Sequence, residues 1–263
     1  LAAAAEKAHE ALVEMVAEGN DELMEEFFEE GTIGIEHLLN GLRQAVLEHR
    51  IFPVLCASGL HNIGTDQILN FIGEYFPNPA DRGPAKATIN GEPGERPVSD
   101  KEHVALFVFK TVADMFSGRV SYFKVMSGVL KNDANLTNQR TAGAERLAHV
   151  SVLRGKTLDA VTELHAGDIG AVAKLKDTLT SDTLSEKGDT ILYPAVEIPE
   201  PSIAYAVTAK TRQDEDRMGQ AIHRILEEDV ALRFYRDPQT KEFLVAGTGQ
   251  QHVEVVVNKL KKR

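Results

Sequence analysis

The last 65 residues of the chain alternate strand and helix patterns in an order that few folds accommodate. Residues 199–207 open with Pro-Glu-Pro and continue as an alternating apolar run, which predicts a half-buried strand. Thr211 predicts the N-cap of a helix, and two short apolar runs then flank a predicted turn at 237–240. A second helical stripe comes last. The order is βαββα, a ferredoxin-like α/β sandwich without its last strand, so we expect a piece of a longer protein.

Short apolar runs separated by Gly, Asp and Asn recur through residues 103–198. This spacing predicts an antiparallel β-barrel. Residues 78–100 are rich in Pro, Gly and charge, which indicates a linker. The apolar runs are at 104–109, 120–125, 147–153 and 169–175.

The first 82 residues combine amphipathic helices with one nearly continuous apolar run. Residues 1–49 predict three helices, of which the first ends at Gly19-Asn20 and the second is capped by Asp21. Residues 51–57 predict a strand buried on both faces of a parallel sheet, and 64–76 predict the helix after it. This is the pattern of the last βα unit of an α/β domain. The fold class is therefore multidomain α+β, with predicted domains at 1–82, 83–198 and 199–263.

The composition indicates a cytoplasmic protein. Apolar residues make up 43% of the chain, enough for ordinary cores. The single cysteine, Cys56, excludes an internal disulfide framework, and we expect it to be a small buried residue of the strand at 51–57. No apolar run approaches the roughly 20 residues that cross a bilayer, so we expect no membrane insertion.

The net charge of −11 is spread unevenly along the chain. Residues 1–50 hold 12 acidic and 3 basic side chains, whereas residues 199–263 hold 10 acidic and 11 basic ones. A strongly acidic protein is ordinarily a poor candidate for nucleic-acid binding, but the uneven distribution leaves room for local basic patches. Net charge alone therefore does not decide the partner.

Motifs for catalysis and for metal binding are absent from the sequence. It contains neither a Gly-x-x-x-x-Gly-Lys-[Ser/Thr] phosphate loop nor an Asn-Lys-x-Asp motif. Gly247-Thr248-Gly249 lacks the third glycine of a dinucleotide fingerprint and predicts a tight turn before a helix. The nine histidines show no zinc-ligand spacing. We therefore predict no catalytic residue and no metal site in this chain.

Three groups of motifs together resemble elongation factor G and related translational GTPases. Residues 53–64 are similar to the last strand of the GTPase domain and the guanine-contacting loop behind it. The motifs at 107–110, 118–120, 127–130 and 166–172 are similar to the family's β-barrel second domain. Those at 199–201, 227–229 and 246–252 are similar to the third domain. The resemblance runs in the family's order across essentially the whole chain.

The resemblance implies a nucleotide-binding role for one loop and an insertion at the start of the chain. Ser58, Gly59 and Leu60 would present backbone N–H groups to the guanine carbonyl oxygen of GTP or GDP. Residues 1–50 would be the tail of the helical insertion in the GTPase domain. The parent protein would be a ribosome-dependent GTPase that uses GTP and Mg²⁺. Because this chain lacks the phosphate-binding groups, we expect it to bind neither GTP nor GDP tightly and not to hydrolyse GTP.

The resemblance also implies contacts with the small ribosomal subunit. Family second and third domains lie near small-subunit ribosomal RNA and a small-subunit protein, and such contacts would be to phosphates and folded RNA shape. We expect the chain itself to be monomeric. The candidate contact residues are Arg119, Lys124, Lys131, Arg233, Arg236 and His252.

The third-domain motif departs from the family pattern Gly-Met-Gly-Glu-Leu-His. Thr248 replaces Met, Gln250 replaces Glu and Gln251 replaces Leu, while His252 is kept. Losing the glutamate removes a negative charge from a helix N-terminus, where it would be favourable. The chain therefore resembles a divergent paralogue. Two alternatives stay open: a ribosomal-protection or rescue GTPase of the same superfamily, and a stand-alone RNA- or protein-binding module without enzymatic activity.

Overall fold

The computed structural model describes residues 2–114, 118–155, 157–209 and 211–262. The backbone divides into two compact units, Leu1–Arg82 and Gly83–Arg263. The division after Arg82 coincides with the first predicted domain boundary. The second predicted boundary, at 198, falls within the second unit and stays a prediction.

The first unit is built of helices, in the order that the sequence predicts. Asn20, and not Asp21, caps the second helix, because the Asn20 side-chain oxygen accepts the N–H of Glu22 at 2.8 Å. Gly31 ends that helix in the left-handed conformation, with φ at 73°. The shared core holds Val13, Val16, Ala17, Ile33 and Leu38. The helices are α1 (Ala2–Ala17), α2 (Asp21–Glu30), α3 (Ile35–Leu47) and α4 (Thr65–Tyr75).

The predicted strand at 51–57 is wrong. This segment forms no strand, and Val54 is 91% exposed. Cys56 is exposed as well, against the expectation that it is buried. A parallel strand needs neighbouring strands to pair with, and the described part of this unit supplies only helices around one isolated bridge between Ser58 and Ile63. The segment is apolar as the sequence indicates, but the partners that would make it a strand are not in the described part of the unit.

The second unit begins with a curled antiparallel sheet. Eight strands lie in the order β7-β6-β12-β3-β4-β11-β8-β9, and two small sheets, β13-β1-β2 and β10-β5, accompany them. The strands are β1 (Ala85–Ile89), β2 (Glu92–Arg96), β3 (Ala105–Asp114), β4 (Gly118–Ser127), β5 (Leu130–Lys131), β6 (Ala134–Asn138), β7 (Ala144–Leu147), β8 (Ser151–Arg154), β9 (Thr157–Ala160), β10 (Glu163–Leu164), β11 (Ile169–Ala173), β12 (Thr183–Ser185) and β13 (Ile191–Leu192).

The eight-stranded sheet curls around one apolar core to form a half-barrel. Phe123 and Val125 on β4 are fully buried in it, together with Leu106 and Val108 on β3. Among the described strands, the hydrogen-bonded ladder ends at β7 and at β9. The sequence predicted an antiparallel β-barrel for 103–198; the antiparallel, curled sheet is confirmed, and its described strands form a half-barrel.

The predicted linker at 78–100 is partly wrong, because β1 and β2 form a hairpin inside it. Their turn is Asn90-Gly91, in which both residues have positive φ, 53° and 84°. Asn-Gly is the strongest short-range signal for a two-residue hairpin turn. The Asn-Gly signal was present in the sequence. The hairpin was not predicted because strand β2 contains proline, glycine and charged residues, which are typical of a linker.

The end of the second unit follows the predicted βαββα order, which is confirmed. Thr211 caps its first helix, with its hydroxyl oxygen accepting the N–H of Asp214 at 3.3 Å. Asp237 forms the predicted turn by accepting the N–H groups of Gln239 and Thr240, both at 2.8 Å. The antiparallel sheet has the order β14-β16-β15. The elements are β14 (Ile203–Ala206), α5 (Arg212–Glu228), β15 (Arg233–Arg236), β16 (Phe243–Gly247) and α6 (Gln250–Lys262).

Both helices of this ferredoxin-like part cover one face of its sheet. Ile225 of α5 and Val253 and Val256 of α6 meet Val245 of β16 in a common core. No helix in the described ranges combines the length and the apolar character that crossing a membrane requires.

Candidate functional site

The predicted guanine-contacting loop is a closed turn at the start of α4. Ser58 and Ile63 exchange two backbone hydrogen bonds, at 3.0 and 3.1 Å, and the Ser58 hydroxyl accepts the N–H of His61 at 3.4 Å. Leu60 is 90% exposed. Within the described part of the chain, nothing accepts a hydrogen bond from the N–H of Gly59 or Leu60. Both donors are therefore available to an oxygen acceptor.

Lys124 lies on the outward face of β4, between Phe107 on β3 and Ile169 on β11. It is half-buried, a position in which a lysine keeps its stem along apolar neighbours and its ammonium in water. Two residues along the strand, Tyr122 pairs with Lys110, whose Nζ lies 5.9 Å from the ring centroid. Phe107 packs against the buried cluster of Ala87, Ala105, Ile191 and Tyr193, so this face offers two cations and the ring of Tyr122, a composition that suits nucleic-acid contact.

Lys110 was missed as a candidate although it stands in the recognised motif at 107–110. The strand has a bulge between Val108 and Lys110, and this shift of register pairs Lys110 with Tyr122. A bulge of this kind cannot be read from alternation alone. The pairing therefore needed the structure.

Lys131 is exposed on β5, and its partner on β10 is Glu163. Opposite charges at paired positions of neighbouring strands attract each other. The field of Lys131 is therefore partly offset before any anion arrives. Lys131 is therefore a weaker candidate for phosphate contact than Lys124, whose partners on the neighbouring strands are uncharged.

Arg233 and Arg236 are exposed on β15 but lie on opposite faces of the strand, because strand side chains alternate. Arg233 donates from Nη1 to the carbonyl oxygen of Val230 at 2.9 Å. Arg236 donates from Nε to the carbonyl oxygen of Lys241 at 2.9 Å, and its guanidinium lies 5.6 Å from the ring centroid of Phe243. The two arginines therefore do not form a single basic patch.

Arg119 is engaged within the molecule. Its Nη2 donates to the carbonyl oxygen of Leu175 at 2.7 Å and also to that of Lys176. Its Nη1 lies 3.5 Å from Oε1 of Glu227 on α5. Only 19% of its side chain is exposed. The sequence singled out Arg119 as a contact for RNA, and the structure gives it an internal role.

The loop that receives Arg119 is held by Glu145. The Glu145 carboxylate accepts the N–H groups of Lys176 and Asp177, both at 2.9 Å, and the hydroxyl of Thr178 at 2.8 Å. Burial by itself raises the pKa of Glu145, but these hydrogen bonds outweigh it and leave the pKa below its ordinary value. A charged Glu145 thus fixes the loop whose carbonyl groups bind Arg119.

His252, at the start of α6, is also engaged within the molecule. Its Nδ1 accepts the N–H of Thr248 at 3.1 Å, so Nε2 carries the proton and donates to Oδ2 of Asp229 at 2.7 Å. A Cβ on Gly247 would lie 2.8 Å from Nδ1, which explains the glycine at this position. His252 therefore fastens the β16–α6 turn to the end of α5.

Two of the six candidate contact residues, Arg119 and His252, contact the same short segment, residues 227–229. Glu227 contacts Arg119, and Asp229 contacts His252. Among the described contacts, none joins Lys124, Lys131, Arg233 and Arg236 to one another. In the described ranges, no group of three or more His, Cys, Asp or Glu side chains is arranged to hold a metal ion.

Two family comparisons cover consecutive parts of the second unit. The family described as "Elongation factor G domain 2" matches residues 103–187, and "Elongation Factor G, domain III" matches residues 198–263. The half-barrel and the ferredoxin-like part thus match separate domains of one family, in sequence order, and together they make up more than half of the chain. The chain belongs to the elongation factor G family. Its second and third domains identify a translation factor of that family, as the motif resemblance implied.

One solved structure agrees with this assignment over nearly the whole chain. The crystal structure of the protein ttk003000868 from Thermus thermophilus matches with a TM-score of 0.79 at 29% sequence identity. The match covers 95% of this chain and 35% of that one. The match to that structure therefore includes the first unit, and the chain spans about a third of the length of that relative.

Proposed function

We propose that this chain belongs to a GTP-dependent translation factor and carries the part of it that contacts the small ribosomal subunit. The observation that carries the proposal is the adjacency of elongation factor G domains 2 and III, at 103–187 and 198–263. In this proposal the whole protein acts on the ribosome, in translocation or a related step, in the cytoplasm. The chain itself is a monomeric binding module.

The contacts proposed here are with ribosomal RNA and with a small-subunit protein, and not with DNA. Lys124 and the neighbouring Lys110–Tyr122 pair offer cations and an aromatic ring on one face of the half-barrel. Lys131, Arg233 and Arg236 are exposed cations that would add phosphate contacts. Arg119 and His252 are engaged inside the molecule by Glu227 and Asp229, so we assign the direct phosphate contacts to the exposed cations.

The nucleotide part of the proposal concerns the first unit. Ser58, Gly59 and Leu60 contact the guanine in the intact protein, where other segments hold the phosphates and Mg²⁺. The unpaired N–H groups of Gly59 and Leu60 support this role, since a guanine carbonyl oxygen is an acceptor. Phosphoryl transfer depends on positioning and on stabilising charge at the phosphates. The chain alone therefore binds GDP no better than about millimolar and does not hydrolyse GTP.

A sedimentation experiment tests the proposal. The chain is mixed with purified small ribosomal subunits at low salt, and the pelleted fraction and the release of phosphate from GTP are measured. We expect the chain to pellet with small subunits and release no phosphate. A chain that stays in the supernatant at every subunit concentration would contradict ribosome binding, and ribosome-stimulated GTP hydrolysis would contradict the non-catalytic role.

A further inference from the structure

The C-terminal end of α5 carries three consecutive acidic residues, Glu227 and Glu228 in the last turn and Asp229 at the C-cap, which we call the acidic junction. The C-terminal end of a helix carries a partial negative charge, so acidic side chains there are unfavourable. The last turn of α5 contains no basic residue that could offset them. Favourable partners must therefore come from elsewhere in the fold.

Two of these partners belong to the half-barrel. Glu227 contacts Nη1 of Arg119, on β4, at 3.5 Å. Glu228 accepts the N–H of Ala113, on β3, through Oε1 at 3.1 Å. The β3–β4 hairpin and α5 belong to different matched domains, so both contacts cross from domain 2 to domain III. A hydrogen bond from a backbone N–H to a carboxylate is among the stronger ones.

The remaining partners belong to α6. Asp229 accepts the N–H of His252 at 2.7 Å, and Oε2 of Glu228 lies 3.9 Å from Nζ of Lys259. The acidic junction therefore binds α6 on one side and the half-barrel on the other. Ala113 and Arg119 thus contact the C-terminal end of α5, the helix that contributes Ile225 to the third-domain core.

Arg119 is held in position for this contact. The carbonyl oxygens of Leu175 and Lys176 accept hydrogen bonds from its Nη2. Glu145 in turn fixes this segment by accepting the N–H of Lys176. Glu227 consequently meets a guanidinium that the half-barrel has already placed. Less side-chain entropy is lost on contact with such a group than with a free surface arginine.

We propose that the acidic junction is an electrostatic latch that positions the third domain on the half-barrel, with Arg119 and the Ala113 N–H as its receiving groups. The latch concerns the coupling of two domains inside this chain, and it does not depend on the proposed ribosome binding. Because the Glu227 side chain is 39% exposed, the latch weakens as salt rises. Opening it frees the third domain to move as a body while its own core stays folded.

Hydrogen exchange of the complete chain tests the latch. The variant Glu227→Ala/Glu228→Ala removes both carboxylates and keeps a good helix former at each position. We expect the Ala113 amide to exchange about tenfold faster. A hydrogen bond to a charged acceptor favours the closed, protected amide over the open one by about that factor. The Val245 and Val253 amides of the third-domain core keep their wild-type rates. Glu254→Ala is the matched control, because Glu254 is exposed on α6 and bonds to Gln250 of the same helix.

Limited proteolysis gives a second readout. Residues 193–202 connect the domains without regular secondary structure and contain Glu197, which is followed by Ile198. A glutamate-specific protease should cut there faster in the double variant than in wild type. Wild type should also be cut faster when salt rises from about 0.1 M to about 1 M, because the Debye length then falls to about 3 Å and the ion pair is screened. Wild-type exchange at Ala113 together with unchanged cleavage in the double variant would overturn the latch. Equal changes in Glu254→Ala would overturn it too.

Discussion

Asp182 accepts two parallel hydrogen bonds from the guanidinium of Arg140, from Nε at 2.6 Å and from Nη2 at 2.8 Å. The carboxylate is 4% exposed and also accepts the N–H of Leu179 and the side-chain amide of Asn138, both at 2.8 Å. We predict that Asp182→Asn lowers the free energy of unfolding by about 2 kcal/mol, because buried donors lose a charged acceptor. Urea unfolding followed by circular dichroism measures the change.

The control for this prediction is Asp133→Asn. Asp133 also accepts two hydrogen bonds from an arginine, Arg146, both at Oδ1, but both side chains are more than half exposed. Exposed pairs contribute between about 0 and 1 kcal/mol, and asparagine tolerates the positive φ of 62° at this position. Equal losses in the two variants would contradict the importance of burying Asp182.

The ionisation of Asp182 should also contribute to the pH dependence of stability. Burial alone raises the pKa of Asp182, but the hydrogen bonds from Arg140, Leu179 and Asn138 outweigh it and hold the pKa below the ordinary 3.8. A depressed pKa stabilises the fold above the unfolded value, and this contribution is lost as pH falls through the folded pKa. Wild type should therefore lose stability below about pH 3.8 more steeply than Asp182→Asn. Parallel acid-unfolding curves would contradict the assignment.

A second titrating pair joins His165, between β10 and β11, to Asp100, between β2 and β3. Nδ1 of His165 lies 2.7 Å from Asp100, and this hydrogen bond, with the charge of Asp100, raises the pKa of His165 above 6.5. The resulting stabilisation is complete below the unfolded pKa and is lost as pH rises through the folded one. NMR titration should show the imidazole pKa falling toward 6.5 in Asp100→Asn. An unchanged titration midpoint would contradict the pairing.

Gly128 and Gly118 have the same backbone conformation and different surroundings. Their φ values are +75° and +73°, but a Cβ at Gly128 would lie 2.7 Å from the backbone of Val104, whereas one at Gly118 would have no atom of the described residues within 4 Å. We predict that Gly118→Ala costs about 1–2 kcal/mol from strain alone. Gly128→Ala should cost about 1–3 kcal/mol more, from the added overlap. Thermal unfolding of both variants measures the difference, and equal melting temperatures would contradict the close approach.

Short-range patterns predicted the third domain well. The cap at Thr211 and the turn at Asp237 involve groups two or three residues apart, so the sequence around them was sufficient. Hydrophobicity alone was not sufficient at 51–57, since a strand also needs partners to pair with. The contact of Arg119 with Glu227 joins residues 108 positions apart, and no spacing rule predicts it. The three acids at the C-terminal end of α5, placed against the helix dipole, were the available signal.

If domains 2 and III of this chain bind small-subunit ribosomal RNA as proposed, hydroxyl-radical footprinting of that RNA will detect the contact. We expect the chain to protect specific small-subunit backbone positions at low salt, with protection that weakens as salt rises. Lys124→Glu/Lys131→Glu should lose the protection due to domain 2, while Lys86→Glu, a change of the same kind at an exposed β1 residue, should keep it. An RNA cleavage pattern identical with and without the wild-type chain would contradict the account.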